Sequence, residues 1–199
     1  MEVRKKILIA SLIGLSLLTG CKNNKVNLPE KEAAKIELKD IKFLDKLAAE
    51  MANYFKDKKI NKILTIEASG IALATVASKH FDDAMVVFCK KQKTLNIGDD
   101  VYESKVESFT TKKNYTITVS KRFLSPEDNL LIIDDFLAEG NALKGLIDVA
   151  NQAGATVSGV SVAIEKGFQE GGKIIRDMGY DLLSLAIIDS IEDGKISFR

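Results

Sequence analysis

The sequence predicts an α/β domain built on a mostly parallel sheet with helices on both faces. Three observations carry this. Short runs such as Ala84–Cys89 and Leu130–Ile133 are apolar throughout instead of alternating, which is the pattern of strands covered on both sides. Between them lie stretches with helical apolar spacing. The chain has 199 residues, 46% of them hydrophobic, with only two prolines, Pro29 and Pro126. That length is about one domain and can bury a core without staples.

The N-terminus reads separately. Arg4, Lys5 and Lys6 precede an apolar-biased run, Ile7–Leu18, and then Thr19, Gly20 and Cys21. The run is shorter than the ~20 residues that span a ~30 Å hydrocarbon core. A positive head and a short apolar run before small residues describe a secretory signal. Leu18-Thr19-Gly20-Cys21 resembles a bacterial lipobox, which makes Cys21 a lipidation candidate and membrane attachment an expectation. A plain apolar helix is the alternative. The boundaries drawn are 1–21 for the signal-like segment, 22–39 for a tether, and 40–199 for the folded domain.

From Asp40 the apolar residues Ile41, Phe43, Leu44, Leu47, Ala48, Met51, Ala52 and Phe55 follow helical spacing. Ile60–Ile66 reads as a buried strand, Ser69-Gly70 as a turn, and 71–79 as a small-residue helix. Ala84–Cys89 reads as a second strand. Residues 90–114 are polar and lysine-rich, so a long loop or loose hairpin is expected there, and Tyr115–Ser120 alternates like a strand. Asn129–Ile133 is a buried strand, 141–153 a helix, and Thr156–Ile164 a strand. Lys173–Met178 is a short helix ending at Gly179, and Leu182–Ile188 a final strand.

Composition excludes several functions. Lys+Arg is 29 and Asp+Glu is 28, a net charge of +1, which argues against a nucleic-acid partner. Two cysteines rule out a disulfide framework and a four-cysteine zinc site. One histidine, His80, leaves no histidine-built metal site and reads as structural or exposed. Cys89 reads as a buried strand residue and not as a nucleophile.

The chemistry concentrates in Leu130–Ala142, where an apolar strand ends at Asp134 and Asp135 and a small-residue turn opens a helix. In open α/β sheets, ligands bind beyond the carboxyl ends of the strands. A helix N-terminus offers unpaired N–H groups to a phosphate, and Gly140 lets backbone approach it closely. Asp134 and Asp135 fall on opposite faces if strand geometry persists, so at least one faces the site. Carboxylates beside such a cradle suit sugar hydroxyls or hydrated Mg²⁺.

This segment resembles the phosphoribosyl-pyrophosphate (PRPP) motif of type I phosphoribosyltransferases, and more closely that of the bacterial xanthine phosphoribosyltransferases. Further matches are Thr65–Ala72, Val87–Leu95, Ser108–Thr110, Ala163–Gln169, Gly171 and Ile191–Phe198. The resemblance implies a Rossmann-like, mostly parallel sheet with a flexible lid over residues 94–114. It implies transfer of a phosphoribosyl group from PRPP to xanthine or a related 6-oxopurine, with Mg²⁺ bound alongside PRPP and no direct protein metal site. By the same resemblance, Ala138, Glu139, Gly140, Asn141 and Ala142 cradle the 5′-phosphate, and Asp134 and Asp135 are catalytic, addressing the ribose hydroxyls. Glu67, Ala68, Ser69 and Gly70 hold pyrophosphate through backbone donors, with charge from Lys90, Lys91 and Lys93. Lys166 and Phe168 meet the purine. A homodimer is implied, as is a cytoplasmic location, the alternative to membrane anchoring.

The chain departs from the family ahead of the first core helix. Where relatives supply a leucine and an asparagine to the base, this sequence reads Ala34–Asp40, with Ile36 at the asparagine position. That departure keeps open a module that binds PRPP or a nucleotide without turnover. The signal-like segment keeps open an exported lipoprotein using the fold as a scaffold.

Overall fold

The computed structural model describes residues 40–91, 100–107, 114–192 and 195–199. The readings made for residues 1–39, including Cys21 and Ile36, and for Lys93 and residues 108–110 lie outside the described residues.

Helix α1 (Ile41–Tyr54) starts where Asp40 caps it, the Lys42 backbone N–H donating to the Asp40 carboxylate at 3.1 Å. Its inward stripe is Phe43, Leu44, Leu47, Ala48 and Met51. Ile41, which fits the apolar spacing, sits in the first turn and is 70% exposed, a departure from the expected face. Strand β1 (Lys62–Ile66), helix α2 (Ser69–Ser78) and strand β2 (Met85–Cys89) follow. Strands β3 (Val101–Glu107) and β4 (Asn114–Ser120) form an antiparallel hairpin. Then come β5 (Asn129–Leu137), α3 (Asn141–Gln152), β6 (Thr156–Lys166), α4 (Gly171–Asp177), β7 (Leu182–Glu192) and β8 (Lys195–Phe198).

Six strands form one sheet in the order β2-β1-β5-β6-β7-β8, parallel except for the β7–β8 pair. Helices α1 and α2 cover one face through Leu47, Met51, Leu73 and Ala77, packed with Ile63, Leu131 and Ile133. Helices α3 and α4 cover the other through Leu143, Leu146, Val149 and Ile175, packed with Leu64, Leu130 and Ile132. The expected layered α/β sheet is present.

Of the two readings for residues 90–114, the hairpin holds over 101–107 and the loop does not, and two further readings need correction. Residues 101–107 pair residue by residue with β4, and Val106, Ile117 and Val119 are buried against α3. The hairpin is also stitched to β2, with Lys90 and Thr118 exchanging backbone hydrogen bonds at 2.9 Å. Polar residues on its outer face hid this strand, because only one side is buried. Strand β5 runs four residues past Ile133, carrying both aspartates within it. Strand β8, paired antiparallel to β7, was not anticipated.

Candidate active site

Sheet order reverses direction between β1 and β5: the chain leaves β1 for β2 on one side, and β5 for β6 and β7 on the other. Such a switch point opens a crevice at the carboxyl ends of the two strands. Both anion-binding segments expected from the sequence emerge there, Glu67–Gly70 after β1 and Ala138–Ala142 after β5.

Gly140 precedes α3 with φ +79°, a left-handed conformation that side chains rarely adopt, and no side chain caps the helix there. The first-turn amides of α3 are therefore presented to whatever occupies the crevice. The Asn141 side-chain amide donates to the Glu107 carbonyl at 3.1 Å, tying this turn to the end of β3.

Alternation along β5 breaks at the aspartates. Leu130 and Ile132 face one core layer and Leu131 and Ile133 the other, so regular pleating would place Phe136 with Leu130. Phe136 instead packs with the Leu131 layer and Leu137 with the Leu130 layer. The step is lost where side chains take over backbone donors: the Asp135 N–H bonds the Asp134 carboxylate at 2.9 Å, and the Phe136 N–H bonds the Asp135 carboxylate at 3.0 Å. The expected separation onto opposite faces is corrected by this slip, which keeps the two carboxyls in contact. Asp134 is 5% exposed. Burial foremost, and then the Asp135 charge beside it, raise its carboxyl well above the usual carboxylate range, with Lys91 pulling the other way.

Lys91 thus lies within electrostatic reach of Asp134. Its backbone N–H donates to the Glu67 carboxylate at 2.5 Å, and its ammonium stands 5.8 Å from the Tyr115 ring. The Glu67 backbone N–H is engaged by the Cys89 carbonyl at 3.0 Å, so Glu67 is not the free backbone donor expected of it. The α2 amides from Ser69 and Gly70 remain the candidate donors of that loop. Beneath them the Thr65 hydroxyl is buried without a hydrogen-bond partner among the described residues. A Cβ on Gly70 would stand 2.3 Å from that hydroxyl and 3.1 Å from an Asp134 oxygen, which brings the β1 and β5 loops together.

Lys166 ends β6 and is 8% exposed. Burial lowers its pKa, and Glu139 of the β5–α3 turn favours the charged form. Phe168 is 50% exposed two residues on. Glu165, beside Lys166, is held by two bonds from Arg176 at 2.9 and 2.7 Å and by the Ser184 hydroxyl at 2.5 Å. Cys89 is fully buried, which pushes its thiol up to about 12 and leaves it unreactive. His80 bonds Asp45 at 2.8 Å between α2 and α1, away from the crevice.

The structure therefore gathers Asp134, Asp135, Lys91, Glu67–Gly70 and the 138–142 turn, with Lys166 linked to that turn through Glu139. Thr65, Tyr115 and Gly171 were not singled out as site residues; consecutive glycines at 171–172, where α4 begins, were the available signal for the last. Among the described residues no group of three or more His, Cys, Asp or Glu forms a metal cage. Asp134 and Asp135 offer hard oxygens that fit a cation arriving with phosphate and water ligands, the ordinary setting for Mg²⁺.

A crevice of this kind, with twin carboxylates beside a glycine-opened helix N-terminus, marks a doubly wound α/β domain whose ligand site lies at the switch point of its sheet. The family described as phosphoribosyl transferase domain matches residues 37–188, and the chain belongs to that family. Xanthine phosphoribosyltransferase 1 of Clostridium perfringens is 54% identical over 160 residues, 80% of this chain and 84% of that protein. Xanthine phosphoribosyltransferase of Bifidobacterium adolescentis is 51% identical over 162 residues, 80% of this chain and 84% of that protein. Among solved structures, adenine phosphoribosyltransferase from Thermoanaerobacter pseudethanolicus superposes with a TM-score of 0.66 at 22% identity, covering 75% of this chain and 83% of that one. The enzyme from Giardia lamblia complexed with 9-deazaadenine gives 0.65 at 27%, covering 78% and 83%. The protein is a phosphoribosyltransferase by fold and family.

Proposed function

We propose that this chain transfers the 5-phosphoribosyl group of PRPP to xanthine, releasing pyrophosphate. The observation that carries this reading is the convergence of Asp134, Asp135 and the Gly140 turn at the sheet's switch point, together with about half-identity to xanthine phosphoribosyltransferases.

In this reading the 5′-phosphate sits on the amides of Ala138–Ala142, where the α3 N-terminus favours negative charge. Asp134 and Asp135 bind the ribose hydroxyls. The bond from ribose C1 to the pyrophosphate oxygen breaks, and a bond from C1 to a purine nitrogen forms. Lys90, Lys91 and the Ser69–Gly70 amides stabilise the negative charge that grows on the departing pyrophosphate. Mg²⁺, when bound with PRPP, neutralises part of that charge. The purine N–H passes its proton to a carboxylate of the pair, and the raised affinity of Asp134 for a proton suits that task. Lys166 donates to an exocyclic oxygen of the base, and Phe168 lies against the ring.

The test is to supply the purified full chain with PRPP, Mg²⁺ and xanthine, guanine, hypoxanthine or adenine, and to detect nucleotide and pyrophosphate. Xanthosine monophosphate should form fastest. Formation only from another base would overturn the xanthine assignment.

Two finer readings accompany this one. Exposed Met85 and Phe88 lie on edge strand β2 and support homodimer formation, tested by sedimentation. No described helix is long and apolar enough to cross a membrane. The Leu18–Cys21 motif supports lipid anchoring at Cys21, tested by fractionation and by the mass of the N-terminal peptide.

A further inference from the structure

Gly171 lies outside the assigned site, yet its backbone rests on the β5–α3 turn. Its N–H donates to the Ala138 carbonyl at 3.1 Å. A Cβ on Gly171 would stand 2.2 Å from the Ala138 oxygen, 2.6 Å from the Gly140 nitrogen and 2.9 Å from the Glu139 carbonyl carbon. All three are backbone atoms and cannot swing aside. From the other side, a Cβ on Gly140 would meet the Gly171 Cα at 3.2 Å.

The segment is pinned at its other flank too. A Cβ on Gly172 would overlap a Glu165 carboxylate oxygen at 1.8 Å, and that carboxylate is locked by Arg176 and Ser184. Glu165 precedes Lys166, and the Gln169 N–H closes the loop onto the Lys166 carbonyl at 2.9 Å. The short loop from Lys166 to Gly171 is therefore fixed at one end by β6 and at the other by the backbone of residues 138–140.

We infer that Gly171 is a positioning residue that joins the two halves of the site, so that filling the 138–142 cradle orders the loop carrying Lys166. This rests on the reading that the cradle takes the sugar phosphate and Lys166 the base. Two backbones in contact with no intervening side chain have one close-packed arrangement, and ordering either restricts the other. Such coupling between sites typically amounts to about 5- to 150-fold in affinity.

The test uses the full chain with ribose 5-phosphate for the cradle and xanthine for the base side. Saturating ribose 5-phosphate should tighten xanthine binding at least about fivefold, and Gly171→Ala should bring that ratio close to one. In the wild type, hydrogen exchange should slow over residues 166–171 when ribose 5-phosphate alone is added. An unchanged ratio in a folded Gly171→Ala protein would overturn the inference. If that variant does not fold, the exchange result decides. Protection confined to 134–142 sinks this inference but leaves the cradle intact, whereas protection in neither segment removes the cradle reading as well.

Discussion

The Asp135 backbone N–H donates to the Asp134 carboxylate at 2.9 Å, in the middle of a strand whose pleat slips at that point. The slip places two adjacent acidic groups together at the crevice, where one is desolvated and the other half-exposed. A pair arranged this way titrates jointly.

Replacing both groups, Asp134→Asn with Asp135→Asn, should cut turnover at least about 100-fold, the lower range for losing a general base. The fold should survive, since Asn preserves shape and removes a buried charge. Steady-state product formation together with a thermal melt checks this. Near-normal turnover would move the ribose and proton roles elsewhere.

The raised affinity of Asp134 for protons has a signed consequence for stability. A carboxyl whose folded pKa exceeds its unfolded value stabilises the fold below about pH 3.9 and loses that contribution as pH rises through the folded value. Asp134→Asn should therefore raise Tm relative to wild type at pH 8 and change it little at pH 4. Melts across that range read the difference directly. A gain that shrinks with pH would contradict the assignment.

Lys166→Met should raise the KM for xanthine about 10- to 100-fold, as expected for a lost charge-assisted hydrogen bond of about 1.5–3 kcal/mol. The KM for PRPP should change much less. Burial lowers the Lys166 pKa, so holding its ammonium in the fold opposes folding. The variant is thus expected to melt no lower than wild type. A lower Tm with unchanged KM would make Lys166 structural only.

Arg176→Met should destabilise the protein by about 2 kcal/mol, less than the ~3–5 kcal/mol of a fully buried pair because Arg176 is 41% exposed while Glu165 is 6% exposed. Burial pushes the Glu165 pKa up, but the Arg176 and Ser184 bonds outweigh it and leave it lowered. The pair's contribution is then present above the ordinary glutamate pKa and lost as pH falls through the folded value. Urea titrations at pH 7 and pH 3 should show a larger loss at pH 7.

Much of this architecture was legible in the chain. Leu130–Ile133 ending at two aspartates and a glycine-bearing turn marked a covered strand aimed at a phosphate cradle, and the described fold has that strand and that turn. Legibility failed where side chains act on backbone. The loss of side-chain alternation at Asp134 and Asp135 goes with their carboxylates accepting N–H groups, which no apolar period reveals. Strand β8 has four residues, with Ile196 and Phe198 alternating against polar neighbours, too short a signal apart from β7. Glu67 looked like a donor until Cys89 of the neighbouring strand was seen to take its N–H. Gly171 touches Ala138, thirty-three positions away in sequence, and its paired glycines hint at a close approach without naming the partner.

Calorimetric titration of the full chain with PRPP and Mg²⁺, with no base present, addresses the phosphate cradle beside the paired aspartates most directly. Saturable binding at one site per chain, competed by ribose 5-phosphate, is the predicted result. Absence of any PRPP binding would contradict the account.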